Sequence, residues 1–176
     1  MKIIYAILGG SGVGKSKLGN YLKTINIQEL VSHTTRNIRL GEINGETYHY
    51  VTKEIFDKTE KVEYAEYASN YYCLSKHEIE DKLSKYDKVF VIMELKGIIQ
   101  LKKLYDNVKV IYITAPIEEL EKRMVIRGDK RIDIDKRLKN IAETGELNNG
   151  KYANYIIVNI DLDESKKQIK RIVEVS

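Results

Sequence analysis

Residues Gly9 to Ser16 read GGSGVGKS: a glycine, four residues, then glycine, lysine and serine, directly after the apolar run Ile3 to Leu8. With strand character before it and helical periodicity after it, this pattern is a P-loop in its expected place. The glycines let the backbone turn so that several N–H groups face a phosphate chain, and the next helix N-terminus adds its dipole. On that reading Gly9, Gly10, Ser11, Gly12, Val13 and Gly14 wrap the phosphates, Lys15 reaches the β- and γ-phosphates, and the Ser16 hydroxyl ligates Mg²⁺.

A second segment, Ser32 to Val51, reads SHTTRNIRLGEINGETYHYV. Arg36 and Arg39 stand three apart, with hydroxyls on Ser32, Thr34 and Thr35 before them and on Tyr48 after them. Two guanidiniums with hydroxyl donors suit a dianionic phosphate monoester. The same residues also read as a solvated loop whose arginines pair with Glu42 and Glu46.

The elements that must position these groups follow from hydrophobic spacing. Leu18, Tyr21, Leu22 and Ile25 recur at helical spacing after Ser16. Short strands are expected at Glu29 to Ser32, Tyr48 to Val51 and Val62 to Ala68, with a helical piece capped by Thr52 between the last two. Helical pattern returns from Ser75, and Lys88 to Met93 is a nearly continuous apolar strand of the kind buried in parallel sheets. Helix Lys96 to Leu104, strand Val108 to Ile113 and a helix from Ile117 to Arg127, entered through the lone Pro116, continue the alternation. A charged stretch, Gly128 to Lys136, offers little to bury; a helix from about Lys136, a strand Tyr155 to Val158 and a helix Leu162 to Val175 close the chain. Strands alternating with helices imply a parallel sheet covered on both faces.

The 176 residues suffice for a sizeable core, and 43% hydrophobic with 32% charged residues is ordinary for a globular enzyme. A net charge of +4 fits nucleic acid or a site for phosphorylated nucleotides equally and decides nothing alone. The single Cys73 excludes an intramolecular disulfide and any multi-cysteine zinc site, which fits a reducing, cytoplasmic setting. No apolar run reaches the length of a membrane span.

Taken in order, GGSGVGKS, SHTTRNIRLGEINGETYHYV, VEYAEYASNYY, KRMVIRG with a later KRL, and YIIVN resemble the guanylate kinase family over nearly the whole length. The resemblance implies a P-loop NTPase-type three-layer α/β/α fold with a parallel central sheet. Residues 1–32 and 81–176 would form the core, 33–80 an inserted mixed α+β region that binds a nucleoside monophosphate, and 124–137 a mobile lid. It further implies that Ser32, Arg36, Arg39, Tyr48 and Tyr72 hold the GMP phosphate and that Glu63 accepts from the guanine N1 and N2 edge. Glu94 falls near the acceptor nucleotide, the catalytic arginines Arg123, Arg127 and Arg137 in and around the lid, where they would close on the ATP phosphates and steady the transferring group, and Asn159 near the adenine. Taken singly, Glu94 also reads as a helix cap and Arg123 as a partner of Glu119 one turn back.

The chain departs from the family pattern in three places. Cys73 and Leu74 stand where Gly and a hydroxyl residue are common, leaving Ser75 one step later as the substitute contact. Ile92 stands where an aspartate near the metal is frequent, so Mg²⁺ would rely on Ser16, phosphates and water. Lys17 replaces a hydroxyl residue after Ser16, and the lid is about a residue shorter. The expected activity is transfer of the γ-phosphate of ATP to GMP or dGMP, with ATP and the monophosphate as partners, Mg²⁺ as cofactor, no nucleic acid and no membrane, in a monomer or homodimer. The alternatives are a related kinase acting on another nucleoside monophosphate or on ribose 1,5-bisphosphate, and a non-catalytic interaction module of the same fold.

Overall fold

The computed structural model describes residues 2–67, 69–144 and 146–175. Its core is a five-stranded sheet in the order β2-β7-β1-β8-β9, every pairing parallel, from β1 (Ile3–Leu8), β2 (Gln28–Glu29), β7 (Lys88–Ile92), β8 (Val108–Thr114) and β9 (Tyr155–Val158). All six residues of β1 are buried, as expected of the central strand of a sheet covered on both faces. Its alternate side chains feed two separate cores. Ile3, Tyr5 and Ile7 pack with Leu18 and Leu22 of α1 (Lys15–Thr24) and with Ile169 and Val173 of α7 (Leu162–Val175). Ile4, Ala6 and Leu8 pack with Ile79 of α3 (Lys76–Lys85) and with Ile98 and Leu101 of α4 (Leu95–Leu104). The strand period of two thus makes the three-layer arrangement.

A smaller four-stranded sheet, β4-β3-β6-β5, stands beside the core. It comprises β3 (His33–Thr34), β4 (His49–Tyr50), β5 (Lys61–Tyr67) and β6 (Asn70–Ser75), with α2 (Lys53–Lys58) against it. Thr52 caps α2 by accepting from the Ile55 N–H, as expected from sequence. A bulge between Lys61 and Glu63 sets Lys61 opposite Ser75 but Glu63 opposite Leu74. Lys61 therefore turns outward, its Nζ 4.9 Å from the Phe56 ring centroid, while Glu63, Ala65 and Tyr72 line one cleft.

Several expected elements shift. The strand expected over Glu29 to Ser32 is two: β2 in the core sheet and β3 in the small one, with Leu30 and Val31 buried in the crossing between them. Strand β6 is not among the expected strands, because NYYCLS places polar groups at consecutive positions rather than in apolar alternation. The expected strand end at Ala68 lies outside the described residues. The helix expected from about Lys136 begins at Arg131 (α6, Arg131–Thr144), after α5 (Ile117–Ile126). The charged stretch does bury something: Ile134 is 2% exposed and Ile141 1%, on the same face as Leu138. A 3₁₀ helix, Glu146–Tyr152, precedes β9.

Candidate active site

The glycine loop leaves the end of the central strand β1 and runs into α1. Gly12 and Gly14 adopt φ of 82° and 98°, a region that disfavours any side chain. Gly9 is fixed instead by proximity, since a Cβ there would sit 2.2 Å from the Ile113 carbonyl oxygen. The Lys15 ammonium folds back over the loop and donates to the carbonyls of Gly9 and Gly10 at 2.7 and 2.8 Å. Ser16 opens onto a cavity of about 400 Å³ that it shares with Ser32, Tyr48 and Ile92.

Those last three residues also line a second cavity of about 760 Å³. Ser32, Arg36, Arg39, Tyr48, Glu63, Tyr72 and Glu94, seven of the eight residues expected on the acceptor side, converge there. Arg36 makes a bidentate pair with Glu42 at 2.8 and 3.0 Å and lies 5.6 Å from the ring centroids of both Tyr48 and Tyr50. Glu42 also accepts from the Arg39 backbone N–H at 2.8 Å and from the Tyr50 hydroxyl at 2.8 Å. These contacts, the Arg36 hydrogen bond foremost, hold its carboxyl down to about 2. Of the pairing that sequence offered as the alternative, the Arg36–Glu42 contact is therefore present, inside the cavity that gathers the phosphate-binding candidates.

Glu63 lies at the other end of the same cavity. Burial pushes its carboxyl up to about 7, with Glu94 adding to the rise and the Leu74 N–H opposing it. Gly97 makes room for it, because a Cβ at that position would lie 3.4 Å from Glu63 Oε2 and 3.3 Å from Met93 Sδ.

Three expected site residues are used otherwise. Ser75 is 2% exposed and caps α3, its Oγ accepting from the Glu78 N–H at 3.1 Å. It does not replace Leu74, because it pairs with Lys61 on the opposite face of β6, and only a one-residue slip would bring it round. Asn159, expected near an adenine, is 2% exposed with its amide donating to the Val13 carbonyl at 2.7 Å. Arg123 does not join the other two arginines: it pairs with Glu119 at 3.3 Å and donates to the carbonyls of Asn159 and Ile160 at 2.6 and 3.1 Å.

Arg127 and Arg137 do converge, on Asp129. Arg127 Nε donates to Asp129 Oδ1 at 2.8 Å and Arg137 approaches Oδ2 at 3.6 Å, beside a cavity of about 670 Å³ that includes Lys136 and Asn140. The Arg127 hydrogen bond keeps the Asp129 carboxyl below its usual range.

Sequence reasoning missed Glu78. Its carboxylate accepts from the Val31 N–H and meets His49 Nε2, each at 3.0 Å, tying the crossing into the small sheet to α3. Burial alone would raise its titration, yet the His49 and Val31 hydrogen bonds leave it lowered. A carboxylate on a helix face carries no sequence signal for a partner 47 residues away.

Among the described residues no group of three or more His, Cys, Asp or Glu side chains could hold a metal ion. No helix of the described residues is long and apolar enough to cross a membrane.

A parallel sheet with a glycine loop at the end of its central strand, facing a second sheet across a cleft, defines an α/β protein of the P-loop NTPase type. A family model described as guanylate kinase matches residues 1–176. Guanylate kinase of Vibrio parahaemolyticus is 36% identical over 180 residues, covering 97% of this chain and 86% of its own length. That of Prochlorococcus marinus is 36% identical over 179 residues, covering 97% and 96%. The crystal structure of guanylate kinase from Anaplasma phagocytophilum superposes with a TM-score of 0.72 at 28% identity, covering 99% of this chain and 85% of that one. The chain belongs to the guanylate kinase family, whose members are nucleoside monophosphate kinases and hence transferases.

Proposed function

We propose that this chain transfers the γ-phosphate of ATP to GMP or dGMP, releasing ADP and the diphosphate. The observation that carries the reading is the shared wall of the two cavities. Ser32, Tyr48 and Ile92 line both, so the Ser16 end of the glycine loop opens toward the Arg36, Arg39, Tyr48 and Tyr72 cluster. In this reading residues 33–80 form the acceptor region and 124–137 a lid that closes over the donor.

ATP lies along Gly9 to Ser16 with Lys15 on its β- and γ-phosphates, the ammonium exchanging the Gly9 and Gly10 carbonyls for phosphate oxygens. The acceptor phosphate binds at Arg36 and Arg39, whose guanidiniums match its oxygens. No protein base is needed, since the attacking phosphate oxygen is already ionised. The chain contributes position and charge, with Arg127 and Arg137 moving from Asp129 onto the transferring group. Mg²⁺, when bound, neutralises phosphate charge. The donor set fits it, because one hydroxyl from Ser16 with phosphate oxygens and water is a sufficient Mg²⁺ shell and Ile92 offers no further ligand. The buried Cys73, the only cysteine, supports a cytoplasmic setting.

Glu63 favours guanine, because a carboxylate accepts from two adjacent donors that adenine lacks. One feature favours the second reading, a related kinase with another acceptor: the hydroxyl position beside the base holds Leu74, fully buried, and Ser75 is committed elsewhere. Coupled ADP release with GMP, dGMP, AMP, CMP, UMP and ribose 1,5-bisphosphate separates the two. Turnover led by GMP or dGMP is expected, and no GMP-dependent turnover overturns the leading reading. An interaction module without activity is disfavoured by the complete GGSGVGKS loop; Lys15→Ala should abolish transfer.

A further inference from the structure

Asn159 follows the last core strand and faces inward, and all four of its hydrogen-bonding groups are occupied. Its N–H donates to the Thr114 carbonyl at 2.7 Å and its carbonyl accepts from Arg123 at 2.6 Å. Its Nδ2 donates to the Val13 carbonyl at 2.7 Å, and its Oδ1 accepts from the Ser165 hydroxyl at 3.0 Å. Ser165 is itself 1% exposed and shares its single proton with the Asp161 carbonyl at 2.8 Å. Because the Val13 carbonyl can only accept, the amide has one orientation, with Nδ2 toward Val13 and Oδ1 toward the Ser165 hydroxyl.

The contact matters through the peptide unit it grips. In a planar trans peptide the C=O and the following N–H point in opposite directions. Drawing the Val13 carbonyl inward onto Asn159 therefore turns the Gly14 N–H outward, to the side on which an anion would lie. Gly14 lies so close that a Cβ on it would meet Asn159 Nδ2 at 2.3 Å, and its φ is 98°. The amide and the glycine are a fitted pair.

We propose that Asn159, braced by Ser165, is a positioning residue that presets the Gly9–Ser16 loop for the donor phosphates from the buried side, without touching the nucleotide. This rests on the reading of that loop as the donor site. Without the amide the Val13 carbonyl loses its buried partner, the Val13–Gly14 peptide plane is free to rotate, and the phosphate cradle must be ordered at the expense of binding.

The test is calorimetric titration of MgADP into wild type, Asn159→Asp, Ser165→Ala and Lys15→Ala, each checked for folding by circular dichroism. Asn159→Asp keeps the shape but sets a carboxylate against the Val13 carbonyl. It should bind MgADP about tenfold more weakly than wild type at pH 8 and recover toward wild type at pH 5, where a protonated carboxyl regains a donor. The loss at pH 8 should persist in protein that circular dichroism shows fully folded at both pH values, which a purely structural defect would not give. Ser165→Ala, the milder change should Asn159→Asp fail to fold, should weaken binding in the same direction. If both bind as wild type does while Lys15→Ala binds poorly, the positioning role is wrong and the donor site stands. If Lys15→Ala also binds as wild type does, the donor-site reading itself falls and the positioning role falls with it.

Discussion

Replacing Glu63 by glutamine should make the protein more stable and less able to select its acceptor, and the pH dependence separates the two effects. Burial in the cleft raises the carboxyl from its ordinary 4.5 to about 7. The folded state thus holds the proton more tightly than the unfolded chain does, so the neutral acid favours folding fully below pH 4.5, and this advantage is lost as pH rises through about 7. At about 1.4 kcal/mol per pH unit over that interval, and allowing for water in the open cleft, ionising Glu63 costs about 2 to 3 kcal/mol. Urea unfolding of wild type and Glu63→Gln at pH 4 and pH 8 reads this directly. The variant should be the more stable by about that amount at pH 8, with the gap closed at pH 4. An equal gap at both pH values would refute the burial of a titrating carboxyl. On the proposed function, the ionised form is the one that accepts from guanine. Wild-type KM for GMP should therefore rise as pH falls below about 7, while Glu63→Gln should show a high KM that lacks this step.

Three further outcomes are expected. Glu42→Ala removes the carboxylate that holds Arg36, Arg39 N–H and Tyr50, and should raise acceptor KM about tenfold with kcat little changed; a lowered KM in steady-state kinetics would show instead that Glu42 competes with the phosphate. Ser75→Ala removes the α3 cap and should cost about 1 kcal/mol in urea unfolding. Its acceptor preference should not move, and a changed GMP to AMP ratio would return Ser75 to the site. Gly97→Val should raise KM for GMP without altering MgADP affinity, because its side chain would press on Glu63 and Met93; unchanged kinetics would mean that the helix α4 yields.

What sequence made legible was whatever a local pattern encodes. β1 and β7 read as buried strands because parallel strands with both faces covered are continuously apolar, and Thr52 read as a cap because its cue lies within one turn. The start of α6 was hidden by charges that outnumber Ile134, Leu138 and Ile141, although their spacing of four and three was there to be read. Ser75, Arg123 and Asn159 differ in another way: each has a polar side chain suited to a ligand, and in the folded chain each also has a protein partner that no local pattern encodes. Of the two readings offered for the Arg36 loop, pairing with Glu42 and Glu46 or phosphate binding, the structure supplies the Glu42 pair of the first within the cavity that the second requires. Only the folded chain sets such alternatives side by side.

The bulge in β5 works like a frameshift in the backbone. Upstream of it an odd-numbered residue, Lys61, is read on the outer face; downstream, odd-numbered Glu63 and Ala65 are read toward the cleft. The extra residue thus lets Lys61 and Glu63, two apart in sequence, face opposite ways. Loss of that residue would straighten β5 yet leave Lys61 opposite Ser75 and Glu63 opposite Leu74, each still on its present face.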